Sequence, residues 1–320
     1  MRQRVAVKLV VTTILAVASG ACSLLFAPNE DQCSNDGDCT ARGNGFAATR
    51  CSADKICTSD LTARDAGAEA ATDSAPGPFA CANDPRPKPD PSKQVEATIG
   101  YTDNSTGMAP DNTLVRLCSG SDPTCANARL LQGEGPGDAG PEGGTGWVQT
   151  RANGTVSAQV EYGFEGFFEA RGTQYPPSFR NVSPPLVRPT TTFDSILLRP
   201  AEIKFLTDQA VKPNAYDPVG HGIVFLLAKD CNEQALANVS FTTSAPDDGT
   251  LYPFYIINSS PSTTDTKTDS LGRGGYINAP PGIHTFNAFI GEGSQKRRYG
   301  STRAVIRAGA NTTVVVEPSP

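Results

Sequence analysis

The stretch TDSLGRGGYINAPPGIHTF, Thr268–Phe286, holds two turns and the strands they serve. Thr268-Asp269-Ser270-Leu271-Gly272 ends on glycine, the residue that takes the positive φ of a tight turn without steric cost. Gly275–Asn278 and Ile283–Phe289 then read as strands, with Pro281-Gly282 as the turn between them. Alternating aromatic and aliphatic side chains along both strands supply the inner face of a β-sandwich.

The same texture extends in both directions. From Gly222 onward, Ile223–Ala228 is an apolar run, Asn238–Thr243 alternates, and Leu251–Asn258 (LYPFYIIN) is aromatic and β-prone. Thr302–Arg307 and Thr312–Glu317 complete this set. Upstream, candidate strands are Val95–Tyr101, Leu114–Cys118, Trp147–Thr150, Gly154–Glu161, Glu165–Ala170 and Phe193–Leu198. Between the two sets Pro200–Val211 has helical spacing, with Pro200 in the first turn and Ile203, Leu206 and Ala210 on one side. Pro213–Gly220 reads as a hinge. The 31 Gly and 26 Pro agree with short strands and many turns. The expected fold class is mainly β: two tandem sandwiches at 93–199 and 221–320, joined by a short helix and hinge at 200–220. Gly133–Gly146 is glycine-rich, but a strand follows it where a phosphate cradle needs a helix, so it reads as a mobile insertion.

Thr268–Gly272, Tyr276 and Pro281–Phe286 together resemble the T-D-x-x-G-x-Y…P-G-x-Y-x-[LF] core of carboxypeptidase regulatory-like (transthyretin-like) domains. Gln234–Val239 is similar to the family's upstream G-x-P-L-x-G-V turn, with Ala235 in place of Pro and Asn238 in place of Gly. Two additional residues stand between Gly272 and Tyr276. Thr150-Arg151-Ala152-Asn153-Gly154 repeats the T-x-x-x-G spacing ahead of Gly163–Phe168. The resemblance implies transthyretin-like (prealbumin-like) sandwiches, of the kind appended to zinc carboxypeptidases, without the catalytic domain. It carries a fold and no chemistry.

The N-terminus has the three parts of an export signal: Arg2, Arg4 and Lys8, an apolar core Leu9–Ala18, then Ser19-Gly20-Ala21-Cys22. The core is far shorter than the roughly 20 residues that span a bilayer. The last four residues resemble the lipobox of bacterial lipoproteins, with Ser19 where Leu is usual, which implies lipidation of Cys22. Cleavage after Ala21 with plain secretion is the alternative. Of nine cysteines, eight remain to pair completely if Cys22 carries lipid, and parity therefore favours the anchor. Ser23, where many inner-membrane lipoproteins have Asp, implies outer-membrane delivery by the same resemblance. Removing residues 1–21 takes away three positive charges and no negative ones, so the formal charge goes from −6 to −9. Nucleic acid is a poor partner for such a chain.

After a spacer at 22–32, Cys33, Cys39, Cys51 and Cys57 form C-x5-C-x11-C-x5-C. In an exported chain this is a small disulfide knot (33–58), since so few residues bury no core without staples. Three pairings are possible, of which Cys33–Cys51 with Cys39–Cys57 is preferred. Zinc fits less well, because its sites favour closer pairs and neither histidine lies nearby. The segment resembles the Cys-rich knots after the lipobox of many myxobacterial lipoproteins. Residues 59–92 are expected to be a linker, disordered over Ser59–Pro78 and extended over the proline run Pro85–Pro91. Cys118 and Cys125 are expected to close a hairpin tip, and Cys81 pairs with Cys231 by elimination.

Catalytic signals do not assemble. His221 and His284 are the only histidines and belong to no H-E-x-x-H arrangement; G-x-S-x-G and Walker patterns are missing. No enzyme activity, cofactor or metal is expected. Two surfaces are candidates for ligands: the basic cluster Lys296, Arg297, Arg298, and an aromatic platform of Tyr252, Phe254 and Tyr255. A solvated hairpin tip and a half-buried core strand, respectively, are the preferred readings of the two. The expected function is a non-catalytic, lipid-anchored cell-envelope protein, in the outer membrane, displaying sandwiches for binding or structural support. Its partners would be the membrane itself and an envelope protein or glycan. The alternative is a non-catalytic accessory subunit of a secreted or surface hydrolase.

Overall fold

The computed structural model describes residues 34–35, 37–38, 49–51, 57–59, 78–83, 85–134, 146–211 and 215–319. The chain divides into two units, Met1–Glu69 and Ala70–Pro320. In the first, β1 (Thr49–Cys51) pairs antiparallel with β2 (Cys57–Ser59), and Cys51 stands opposite Cys57. The side chains of the knot cysteines, the leader with Cys22, and the linker 60–77 lie outside the described residues.

The second unit is mainly β, as expected. Its first half contains β3 (Asp90–Asp103), β4 (Leu114–Ser119), β5 (Val148–Gln149), β6 (Thr155–Tyr162), β7 (Phe164–Gly172), β8 (Tyr175–Leu186) and β9 (Thr190–Leu197). Helix α1 (Pro200–Ala210) follows, with Pro200 in its first turn. The second half contains β10 (Gly222–Ala228), β11 (Ser240–Thr243), β12 (Tyr252–Ile257), β13 (Ser260–Ser262), β14 (Arg273–Ala279), β15 (Gly282–Ile290), β16 (Arg297–Ile306) and β17 (Asn311–Val316).

Each half is a sandwich, but the two share one layer. A nine-stranded sheet runs β13-β12-β14-β10-β17-β8-β7-β4-β5, and two three-stranded sheets, β6-β3-β9 and β11-β15-β16, pack on it. The join is a parallel pairing of β8 with β17, which places Phe179 beside Thr312 and Arg180 beside Thr313. Side chains alternate between faces along a strand. Phe168 stands opposite Arg180, and so shares the face of Thr313, while Val314 and Val316 point the other way. Phe168 packs in the first core with Ile99, Val156 and Leu117; Val314 and Val316 pack in the second with Phe286, Ala288 and Ile306. The two small sheets therefore cover opposite faces of the shared sheet. Helix α1 takes the remaining face of the second half, setting Ile203 and Ala210 against Ile223, Phe254 and Ile277.

Strand β8 is the longest element with no counterpart in the sequence-based expectation. Its sequence, YPPSFRNVSPPL, carries four prolines, and proline within a central strand removes a ladder hydrogen bond. The prolines sit at the ends, where the β7–β8 register shifts, and the bonded middle runs from Ser178 to Val182.

The linker also needs correction. Phe79 packs on the second core and against the Tyr299 ring, with centroids 5.8 Å apart. Cys81 is bonded to Cys231, and Arg86 pairs with Glu165. Asp90 and Pro91 already belong to β3. Residues 78–83 and 85–92 are therefore part of the folded unit, because a half-buried ring, a disulfide and an ion pair hold chain that composition alone marks as a spacer. Gly272 has φ of 65°, and a Cβ there would come within 2.6 Å of the Ala228 carbonyl oxygen, so the turn that opened the sequence reading is a glycine turn for two reasons.

Candidate binding groove

The aromatic platform does not form. Phe254 is fully buried under α1, while Tyr255 points to the opposite face, into the sandwich core. The Tyr255 hydroxyl accepts the Phe241 backbone N–H at 3.0 Å, and the two rings stack. Tyr252 is half-buried against the same cluster as Phe254. Because β12 lies inside the shared sheet with a layer on each face, both sets of alternating side chains are covered.

The basic cluster is exposed at the start of β16, but its members do not converge. Lys296 lies over the Phe289 ring and Arg297 over the Phe79 ring, at 4.9 and 5.4 Å from the centroids. Both cations thus lie over half-buried aromatic rings. His284 is buried, with Nε2 2.9 Å from the Pro280 carbonyl oxygen. His221 lies between Asp217 (Nδ1 at 3.1 Å) and Asp248 (Nε2 at 3.9 Å). No metal-ligating cluster is found among the described residues.

A groove of about 550 Å³ opens where β16 passes the first half of the shared sheet. Arg86, Glu161, Glu165, Arg129 and Arg303 line it with Ser119, Ser121, Asn181 and Ser183. Arg86 pairs with Glu165, and Arg129 Nη2 lies 2.8 Å from Glu161. Arg303 is exposed and has no ion-pair or hydrogen-bond partner among the described residues. Thr302, its neighbour, donates to Ser183 Oγ at 2.9 Å and ties β16 to β8. The apolar floor comes from Phe167, which shares a cluster with Phe179 and Val305.

Along β7 the face of Phe167 continues to Glu169 and Arg171. Glu169 is fully buried, and three guanidinium groups meet it: Arg116 at 2.6 Å, Arg171 at 2.9 Å and Arg307 at 3.2 Å. The rings of Trp147 and Phe179 flank them, under Arg116 and Arg171 and under Arg307 respectively. Burial lowers the Arg307 pKa, and the like charges of Arg116 and Arg171 push in the same direction against Glu169. The cluster locks β4, β7 and the end of β16 together. Its members, spread from Arg116 to Arg307, were not singled out from sequence; an arginine between Val115 and Leu117 in an apolar strand was the available signal.

No family model matches the chain, and no curated protein matches it. Among solved structures, it is similar to a streptococcal ancillary pilin (12% identity, 71% of this chain and 63% of that one, TM-score 0.23). It is similar to the Bacillus anthracis TIE protein at 12% identity over 70% of this chain and 34% of that one, also with TM-score 0.23. A shaft pilin of Lactobacillus rhamnosus GG gives 8%, 71%, 97% and 0.21. The chain thus spans less than two thirds of the first two. Likenesses this slight carry neither a fold nor a functional assignment.

Proposed function

We propose that the chain is a non-catalytic protein of the cell envelope, held to a membrane by lipid on Cys22 and presenting the fused double sandwich for binding or structural support. The observation that carries this is the pair of bridges Cys81–Cys231 and Cys118–Cys125, with S–S distances of 2.08 and 1.90 Å. Such bonds persist in oxidising compartments, which agrees with an exported chain. They use four of the eight cysteines that remain once Cys22 is set aside, and so support the parity that assigns Cys22 to lipid. Among the described residues no helix is long and apolar enough to cross a membrane. Stable anchoring by acyl chains alone takes two or more of them, and bacterial lipoproteins resembling this leader carry that number. The Ser23 position supports delivery to the outer membrane. The regulatory-like resemblance of 221–320 fits a module that meets a partner rather than a substrate.

The test is mass spectrometry of the mature N-terminus together with membrane fractionation. The expected result is acylated Cys22 in the membrane fraction, with Cys22→Ala shifting the protein to the soluble fraction. An unmodified Cys22 on the mature chain would overturn the anchor in favour of plain secretion.

A further inference from the structure

We propose that the groove beside Arg303 binds an extended acidic peptide segment, paired to the unmatched main-chain N–H and C=O of Arg303 on the outer edge of β16. The main chain of β16 carries the first half of the case. Thr285, opposite Arg303, exchanges hydrogen bonds with Ser244 on the far side of β15: its C=O accepts the Ser244 N–H and its N–H donates to Ser244 Oγ, each at 2.9 Å. Thr285 and Arg303 are therefore a non-hydrogen-bonded pair, and the Arg303 N–H and C=O point away from β15. The neighbours of the same parity agree. Ser301 N–H donates outward to Ser319 Oγ at 3.0 Å, and the Val305 carbonyl accepts from Thr312 Oγ1 at 3.2 Å. Between these two satisfied positions the Arg303 main-chain donor and acceptor have no partner among the described residues, and Arg303 lines the groove. The main chain of a short extended segment supplies the acceptor and donor that such a pair lacks.

Charge carries the second half. Arg86 and Arg129 are matched by Glu165 and Glu161, whereas Arg303 is unmatched, so the groove is net positive in a chain of formal charge −6. A carboxylate beside Arg303 is the complementary group. A glycan is disfavoured by the lining: sugars stack on exposed aromatic faces, and Phe164 and Phe167 are each only 2% exposed. Exposed Ile283 at the rim offers the apolar contact for an alternate side chain.

The inference deepens the binding role proposed above. It is read on the mature chain whatever its N-terminus carries, so a failed lipidation test leaves it standing. Fluorescence anisotropy would use labelled heptapeptide libraries with Glu or Asp at alternate positions, matched Lys libraries, and an oligogalacturonate competitor. The expected result is saturable binding of the acidic library, at least tenfold tighter than the Lys library. Arg303→Glu and Arg303→Gln should each weaken it at least tenfold with unchanged thermal melting, and Lys204→Glu on α1 should leave it unchanged. N-methylation of alternate peptide nitrogens should abolish it. No binding by the acidic library, equal binding of both libraries, indifference to N-methylation, or preference for the oligogalacturonate would each overturn the proposal.

Discussion

Asp103 is buried and Glu317 half-buried, and the two acids are pulled in opposite directions. Burial pushes the Asp103 carboxyl up, but hydrogen bonds from the Tyr175 hydroxyl, the Thr106 N–H and Arg199 outweigh it and hold the pKa at about 2. For Glu317 burial dominates, Glu233 adds to it, and the pKa rises to about 7. Asp103, depressed from 3.8, stabilises the fold above that value and loses the contribution as pH falls towards about 2. Glu317, raised from 4.5, contributes below that value and loses the contribution as pH rises through about 7. From these two groups the second unit should be most stable near pH 4, falling by roughly 2 kcal/mol on the acid side and roughly 3 kcal/mol on the basic side. Urea midpoints from pH 2 to 8 check this, and Glu317→Gln should flatten the upper slope while leaving the lower one. At this scale the sequence was legible where a residue acts through its own backbone, as Gly272 does. At Phe254 and Tyr255 it offered both a core strand, which it preferred, and a ligand platform, because exposure there depends on what lies above and below β12.

At the scale of elements, strands with regular alternation were found within a few residues, and α1 was found from its apolar spacing and Pro200. Strand β8 escaped because its prolines argue against a strand, and only the register shifts at its two ends make them compatible with the sheet. Segment 78–92 escaped because polyproline composition does not reveal what Phe79 and Cys81 meet. The Cys81–Cys231 bond spans 150 residues and the Cys118–Cys125 bond 7. On the loop-entropy account the first is worth about 5 kcal/mol and the second about 2. Replacing Cys81 and Cys231 by Ser together should therefore lower stability about twice as much as replacing Cys118 and Cys125, as measured by urea denaturation under non-reducing conditions. Equal losses would mean that the long bond constrains the unfolded chain no more than the short one.

At the scale of the molecule, one shared sheet makes two sandwiches a single mechanical body. The β8–β17 pairing, the Thr302–Ser183 hydrogen bond and the Arg307–Glu169 ion pair all cross between the halves. The second unit should unfold in one calorimetric transition, with van 't Hoff and calorimetric enthalpies equal. Two resolved transitions would show that the halves are independent after all. Sequence by itself determined the mainly β class, the location of most strands, the separating helix and the cysteine partners within the second unit. These follow from local periodicity, turn chemistry and parity, which act over a few residues or by counting. Only the tertiary structure decided that β8 and β17 meet, that the small sheets cover opposite faces, and that Arg116, Glu169, Arg171 and Arg307 converge beside the groove. The β8–β17 pairing and the Arg307–Glu169 contact join residues more than a hundred positions apart, and no local pattern encodes which strand edge will lie against which.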